Sequence, residues 1–300
     1  MKFRTEYNPE IASELLYPSM PAVLIGSCFT DSIGARMRDC RWPSVANPCG
    51  VLYNPASIAN LLTMSVNIDK ESVRKEIMHS IIDRDGFFVS WLTDSKINGA
   101  SEADVAGTLV DRLSAMRSAL SGAGVLIITF GTSWIYELAE SSGYVVSNCH
   151  KFPAKYFERR RLEVDEIVSI WKSAAANLKT LNPNLRIIFT VSPIRHLKDG
   201  FEGNARSKAI LVLACEKLCS EIEGVDYFPS YEIITDDLRD YRFYDDDLLH
   251  PSRQAVSYVW EKFCRRYLSE ESRRILAEGE KITKAMNHRP NILLNVRRDS

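Results

Sequence analysis

Four places along this chain set nucleophiles, glycines or imidazoles directly after an apolar run or ahead of a helix. Gly26-Ser27-Cys28-Phe29-Thr30-Asp31 follows AVLIG, and Gly131-Thr132-Ser133-Trp134 follows VLIITF. Ser192-Pro193-Ile194-Arg195-His196 follows LRIIFTV, and Asp245-Asp246-Asp247-Leu248-Leu249-His250-Pro251-Ser252 stands near the end. A thiol on a tight turn that opens a helix meets unpaired backbone N–H groups and the positive end of the helix dipole, which favour an anion and lower a thiol pKa. An imidazole three residues after a carboxylate suits general base and then general acid work, the carboxylate fixing its tautomer. Cys28 and His250 are thus a candidate nucleophile and base, with Asp247 as orienting group and Asp245 and Asp246 as competitors for that role. The plainer alternatives are Cys28 as a small buried hydrophobe and His250 as a loop residue before a helix capped by Ser252.

Arg195 and His196 could bind a carboxylate or phosphate, since a guanidinium suits bidentate anion contacts; the alternative is a solvated loop. Cys149-His150 has no second ligand pair at a metal-binding spacing. The spacing of Gly26 and Gly34 fits neither G-x-G-x-x-G nor a P-loop. No metal and no cofactor are expected.

These residues need a scaffold. The runs at 22–26, 125–131, 185–193 and 225–230 are short, β-branched or aromatic, and apolar on both faces, as buried parallel strands are. Between them, 102–121, 162–181 and 252–268 carry apolar residues at i, i+3, i+4 spacing. Strands alternating with amphipathic helices give an α/β fold with a mostly parallel sheet, whose ligands bind beyond the carboxyl ends of the strands. Residues 65–101 interrupt the rhythm with a helix-like SVRKEIMHSII and a hairpin-like DGFFVSWLTDSKING, and read as an insertion. Residues 134–147 suggest a second hairpin turning at Ser-Ser-Gly. We expect one domain over 1–300, its core at about 20–270, with a C-terminal helical tail at 271–300.

Composition narrows the function. Across 300 residues, 38 Lys+Arg nearly balance 39 Asp+Glu, for a net charge of -1; a nucleic-acid footprint would need an excess of basic charge. The N-terminus lacks signal-peptide features, and the apolar runs are too short to span a bilayer. The seven cysteines form no CxxC pair, a usage that fits reduced thiols in a cytoplasm. No nucleic-acid or membrane partner is expected, and the oligomeric state is left open.

Taken together, the segments resemble the SGNH (GDSL-like) hydrolase superfamily, and IGSCFTDSIG at 25–34 looks like the GSCFA family within it. Gly26-Ser27-Cys28 stands where the superfamily has Gly-Asp-Ser. Gly50, in Asn47-Pro48-Cys49-Gly50-Val51, offers the second block's glycine. Gly131-Thr132-Ser133-Trp134 matches the third block weakly, with Ser133 at the asparagine position. Asp247-Leu248-Leu249-His250-Pro251 is the most specific match, to Asp-x-x-His. The resemblance implies a single-domain, three-layer α/β/α sandwich, flavodoxin-like in its sheet. It also implies a hydrolase or acyltransferase on a small-molecule or glycan ester, for instance a carbohydrate-linked acyl group. Ser27 and Cys28 alternate in direction on leaving the strand, and register with the superfamily favours Cys28 over Ser27 as nucleophile. Oxyanion donors would be the N–H groups of Cys28 and Gly50, joined by a side chain from Thr132, Ser133, Asn148 or Asn54. The competing class is a non-catalytic ligand-binding module on a degenerate scaffold. The distance between Cys28 and His250 discriminates the two.

Overall fold

The computed structural model describes residues 4–141 and 143–287. A five-stranded parallel sheet forms the middle layer. Its strands are β1 (Ala22–Gly26), β2 (Ser44–Ala46), β6 (Val125–Phe130), β10 (Arg186–Val191) and β11 (Val225–Phe228), side by side as β11-β10-β6-β1-β2. In order of appearance that is 2-1-3-4-5, the flavodoxin-like order, which reverses between β1 and β6. Four of these strands are the apolar runs of the sequence. The fifth, β2, has only three residues and sits at the sheet edge with Val45 exposed; so short a strand has no apolar run to betray it.

Side chains alternate across the sheet. Val23 and Ile25 of β1 join Ile128, Phe130 and Phe189 on one face, while Leu24, Ile127 and Ile188 point to the other. The first face is covered by α2 (Pro55–Val66), α4 (Glu102–Gly122), α5 (Val164–Leu181) and α6 (Gly200–Glu221). The second is covered by α1 (Cys28–Asp39), α8 (Arg253–Tyr267) and α9 (Glu270–Asn287). The α4 stripe Val105, Leu109, Leu113, Met116 and Leu120 is wholly buried, as its spacing requires. Trp171 of α5 is sealed between Phe130 and Phe189 and donates its indole N–H to the Pro55 carbonyl at 3.2 Å, which satisfies its one polar atom.

Helix starts are set locally. Asn54 accepts from the Ser57 N–H with Pro55 in the first turn, and Ser101 and Ser252 accept from Asp104 and Ala255; each such cap is worth about 1 kcal/mol.

Residues 65–101 hold the end of α2, then α3 (Glu71–His79) and the antiparallel strands β3 (Ile81–Arg84), β4 (Phe87–Ser90) and β5 (Asn98–Gly99). Their Val73, Ile77, Leu92 and Ile97 pack into the first-face core. β7 (Trp134–Leu138) and β8 (Val145–Val146) form the second hairpin, and β9 (Phe157–Arg161) adds a third strand to it. After β11 come a short α7 (Ser230–Glu232) and the loop leading to α8. Within the expected tail, α9 ends at Asn287, and 288–300 lie outside the described residues. Among the described residues no helix is long and apolar enough to cross a membrane.

Candidate active site

The β1–α1 turn places Cys28. Gly26 has φ +150, and a Cβ there would stand 2.2 Å from the Thr129 carbonyl oxygen, so the close pairing of β1 with β6 demands glycine. The Gly26 N–H donates to Asn47 Oδ1 at 2.9 Å, and Asn47 Nδ2 donates to Asp31 Oδ1 at 2.8 Å, tying the β2 end to the first turn of α1. Ser27 is the N-cap and is fully buried; its Oγ has no hydrogen-bond partner, so nothing is placed to accept its proton. Cys28, the first residue of α1, is half-buried.

The loop before α8 places His250. Asp245 N–H donates to the His250 carbonyl at 2.7 Å, Tyr244 bridges to Pro251, and Ser252 N–H donates to Phe243 O. Asp247 Oδ1 accepts the N–H groups of Leu249 and His250 at 2.8 and 2.9 Å, while Oδ2 meets His250 Nδ1 at 2.5 Å. Asp247, rather than Asp245 or Asp246, therefore holds the ring. These N–H donors and the imidazole hold its carboxyl down, to about 2. The other ring nitrogen, Nε2, lies 3.4 Å from Cys28 Sγ.

Electrostatics at the sulfur differ from the sequence expectation of a lowered thiol pKa. Burial pushes the Cys28 thiol up; Asp31 and Asp247 push the same way, against the amide N–H groups of Cys28 and Phe29. Desolvation of the charged form outweighs the helix N-terminus, and the resting sulfur is a thiol with an imidazole beside it.

The remaining expected residues divide. Gly50, at φ +87 beneath the Asp94 carboxylate, spends its N–H on the Asn47 carbonyl at 2.9 Å. Asn54 is occupied as the α2 cap, its Nδ2 also donating to Ser57 Oγ. Ser133 is fully buried and spends both its N–H and its hydroxyl on Ser207 Oγ, which Thr132 Oγ1 also meets at 3.0 Å. Asn148 Oδ1 accepts the His150 N–H in a local turn. His150 is itself held by Ser95 and the Ser90 carbonyl. The amides that face the sulfur are those of Cys28 and Phe29.

Arg195 and His196 part company. Arg195 N–H donates to the Leu249 carbonyl, but its guanidinium lies among Phe201, Tyr241 and Tyr244, in a cavity of about 330 Å³. His196 packs edge-on against Tyr53, with ring centroids 5.7 Å apart, and its Nε2 is buried without a partner. Burial first, and then the Lys208 charge, hold it neutral, with its pKa down to about 4.

Three residues passed over in the sequence belong to this neighbourhood. Asn47 anchors the turn. Tyr53 takes the N–H groups of Gly131 and Thr132 on its carbonyl and lays its ring on His196. Lys208, completely buried in α6, donates to the carbonyls of Gly131 and Ser192, both at 2.7 Å. A lysine inside an otherwise amphipathic helix stripe was the one signal for it.

A family model described as the GSCFA family matches residues 21–263. A search among curated proteins finds no match. Among solved structures, a carbohydrate esterase family 3 from Talaromyces cellulolyticus is similar at a TM-score of 0.38 and 6% identity, over 86% of this chain and 99% of that one. An acetyl xylan esterase from the rumen bacterium Butyrivibrio proteoclasticus is similar at 0.35 and 14%, over 86% of this chain and 64% of that one.

Proposed function

The chain belongs to the GSCFA family, and on that premise we propose that it is an SGNH-like hydrolase or acyltransferase acting on an ester, with Cys28 as nucleophile, His250 as base and acid, and Asp247 as the orienting carboxylate. The observation that carries this reading is the unbroken line from Asp247 Oδ2 through the His250 ring to Cys28 Sγ, at 2.5 and 3.4 Å. A ligand-binding module has no need of an imidazole held by a carboxylate on one nitrogen and aimed at a half-buried thiol with the other.

The steps follow from the geometry. Sγ attacks the acyl carbon as its proton passes to Nε2. The oxyanion forms beside the free amide N–H groups at the start of α1. Collapse expels the alkoxide, which takes the proton back from His250 and leaves a thioester on Cys28. Water or another alcohol then loses a proton to Nε2 and attacks the thioester, and Sγ leaves and is reprotonated. Asp247 supports the imidazolium formed in each half. A carbohydrate-linked acyl group is the substrate class we favour, because the motif resemblance points to it. The active species is proposed to work in the cytoplasm, as its seven unpaired cysteines suggest.

The test is a panel of acetyl and longer acyl esters, glycan-linked ones included, assayed with wild type and Cys28→Ala. Turnover that Cys28→Ala abolishes supports the reading. Turnover that survives the substitution takes the nucleophile away from Cys28, and tight ligand binding with no turnover of any ester favours the binding module.

A further inference from the structure

Arg195 and Arg239 line one cavity of about 330 Å³, walled elsewhere by Phe201, Tyr231, Tyr241 and Tyr244. That volume lies at the small end of ligand pockets, which run from about 300 to 1,000 Å³, and it suits one sugar-sized group rather than a chain. Arg195 is half-buried. Its guanidinium carbon stands 5.3, 5.5 and 5.8 Å from the ring centroids of Phe201, Tyr241 and Tyr244; such faces attract a cation and fix where it sits. Among the described residues its one side-chain hydrogen bond runs from Nη1 to the Tyr241 hydroxyl at 3.3 Å. A guanidinium carries five donors, so most stay unspent within the protein.

The charge in this cavity is not neutralised. Arg159 has Asp199 and Arg266 has Asp226, but among the described residues neither Arg195 nor Arg239 has a carboxylate within 4 Å. The carboxylate on the cavity wall, Asp240, turns to Arg242: its Oδ1 accepts that residue's N–H at 2.9 Å, and its Oδ2 lies 3.5 Å from Nε. Arg239 also sits on unusual backbone. Its φ is +46, and its N–H reaches the Ile234 carbonyl, five residues back, at 3.1 Å. So wide a turn is rare and recurs at functional sites. At the mouth, Phe201 and Tyr241 leave 66% and 57% of their surface exposed. Their open faces offer apolar contact to the C–H face of a sugar, and the guanidinium offers a bidentate contact to a carboxylate or phosphate on it.

The cavity is fastened to the loop that carries His250. Arg195 N–H donates to the Leu249 carbonyl at 3.3 Å, and Tyr244 bridges to Pro251. The residues on either side of His250 are thus each paired with a cavity-wall residue, and a group seated there is held by the same backbone that holds the imidazole. We propose that this cavity is a subsite for an acidic sugar, with Arg195 making the bidentate contact to its carboxylate or phosphate, Arg239 adding charge, and Phe201 and Tyr241 flanking its ring. As the place where the sugar of an ester substrate is held, the subsite rests on the hydrolase reading above; as a binding site it is tested without any reaction.

The full chain is titrated calorimetrically with glucuronate, glucose 6-phosphate and glucose. At least one charged sugar should bind about tenfold or more tightly than glucose, the least that a bidentate charge-assisted contact is worth. The tighter of the two names the group as carboxylate or phosphate. In Arg195→Gln that advantage should vanish, whereas Arg206→Gln, whose guanidinium is paired with Glu202, should keep it. Charged sugars that bind no better than glucose, or that keep their advantage in Arg195→Gln, overturn the proposal. Should Arg195→Gln fail to fold, Arg239→Gln decides: the charged sugar should lose affinity by about threefold or more as one charge leaves the cavity, and an unchanged affinity overturns the proposal. The two readings fail separately. Charge-selective binding with no ester turned over leaves the subsite and removes the hydrolase; esters turned over with no charge-selective binding leave the hydrolase and remove the subsite.

Discussion

Cys28 Sγ and His250 Nε2 stand 3.4 Å apart, although 222 residues separate them along the chain. Helices α1 and α8 pack on the same face of the sheet, Ile33 and Met37 of one sharing a core with Val259, Trp260 and Phe263 of the other. Cys28 opens the first helix and His250 ends just before the second. The pair therefore inherits its spacing from the docking of two helix N-termini at one end of the sheet.

Cys28→Ala and His250→Ala should each lower kcat on an active ester by roughly 100- to 10,000-fold, the usual worth of positioned proton transfer. The double variant should be little slower than either single one, because groups acting as a unit are non-additive. Ser27→Ala should leave kcat near wild type, since its buried hydroxyl has no partner to lose. Steady-state kinetics on the four proteins checks this. Activity lost in Ser27→Ala and kept in Cys28→Ala would move the nucleophile back one residue.

Asp247→Asn should reduce kcat less than His250→Ala, since Asp247 orients the ring and makes no bond to substrate. Its folded carboxyl lies at about 2, against an ordinary 3.8. A carboxyl held down by folding stabilises the native state above its unfolded pKa, and that stabilisation fades as pH falls toward the folded value. The Tm difference between wild type and Asp247→Asn should therefore be full at pH 7, shrink between about 4 and 2, and vanish below. Melting curves across that range measure it; a difference constant down to pH 2 would mean that the carboxyl is not held by His250 and its amides.

Cys28 should alkylate faster than the other six cysteines at neutral pH. Burial pushes Cys49 and Cys219 up to about 12 and Cys149 to about 11, and raises Cys40, Cys215 and Cys264 as well. Cys28 is half-buried with amides and an imidazole at its sulfur. Peptide mapping of a short iodoacetamide pulse reads the order. Labelling of Cys28 no faster than that of Cys215 would return it to the core.

Gly26→Ala should destabilise the protein by at least about 2 kcal/mol, because the new Cβ would press on the Thr129 backbone and force β1 from β6. Gly86→Ala, with no atom within 4 Å of its added Cβ but a φ of +90, should cost only the strain of that conformation, about 1 kcal/mol. Urea unfolding of both variants compares the two. An equal cost would show that backbone conformation alone, rather than the close strand approach, requires Gly26.

The apolar runs AVLIG, VLIITF and RIIFTV by themselves determined the three central parallel strands, because a strand covered on both faces reads as a near-continuous hydrophobic run, while VDYF marked β11, a half-buried edge strand that carries Asp226. Helical spacing likewise marked α4, α5 and α8, and DLLHP before a capped helix marked Asp247 and His250 as a unit, since residues three apart in one turn meet locally. What the sequence left open were the relations between distant segments. Whether Ser27 or Cys28 faces His250 depends on how β1 leaves the sheet. Whether Gly50, Asn54, Ser133 or Asn148 is free to bind an oxyanion depends on partners such as Asn47, Ser57, Ser207 and His150. Only the folded chain seats Lys208 on Gly131 and Ser192. A hydrogen bond or a desolvation penalty is decided by which groups share a few ångströms, and for residues 77 or 222 positions apart the packing of helices on the sheet settles that.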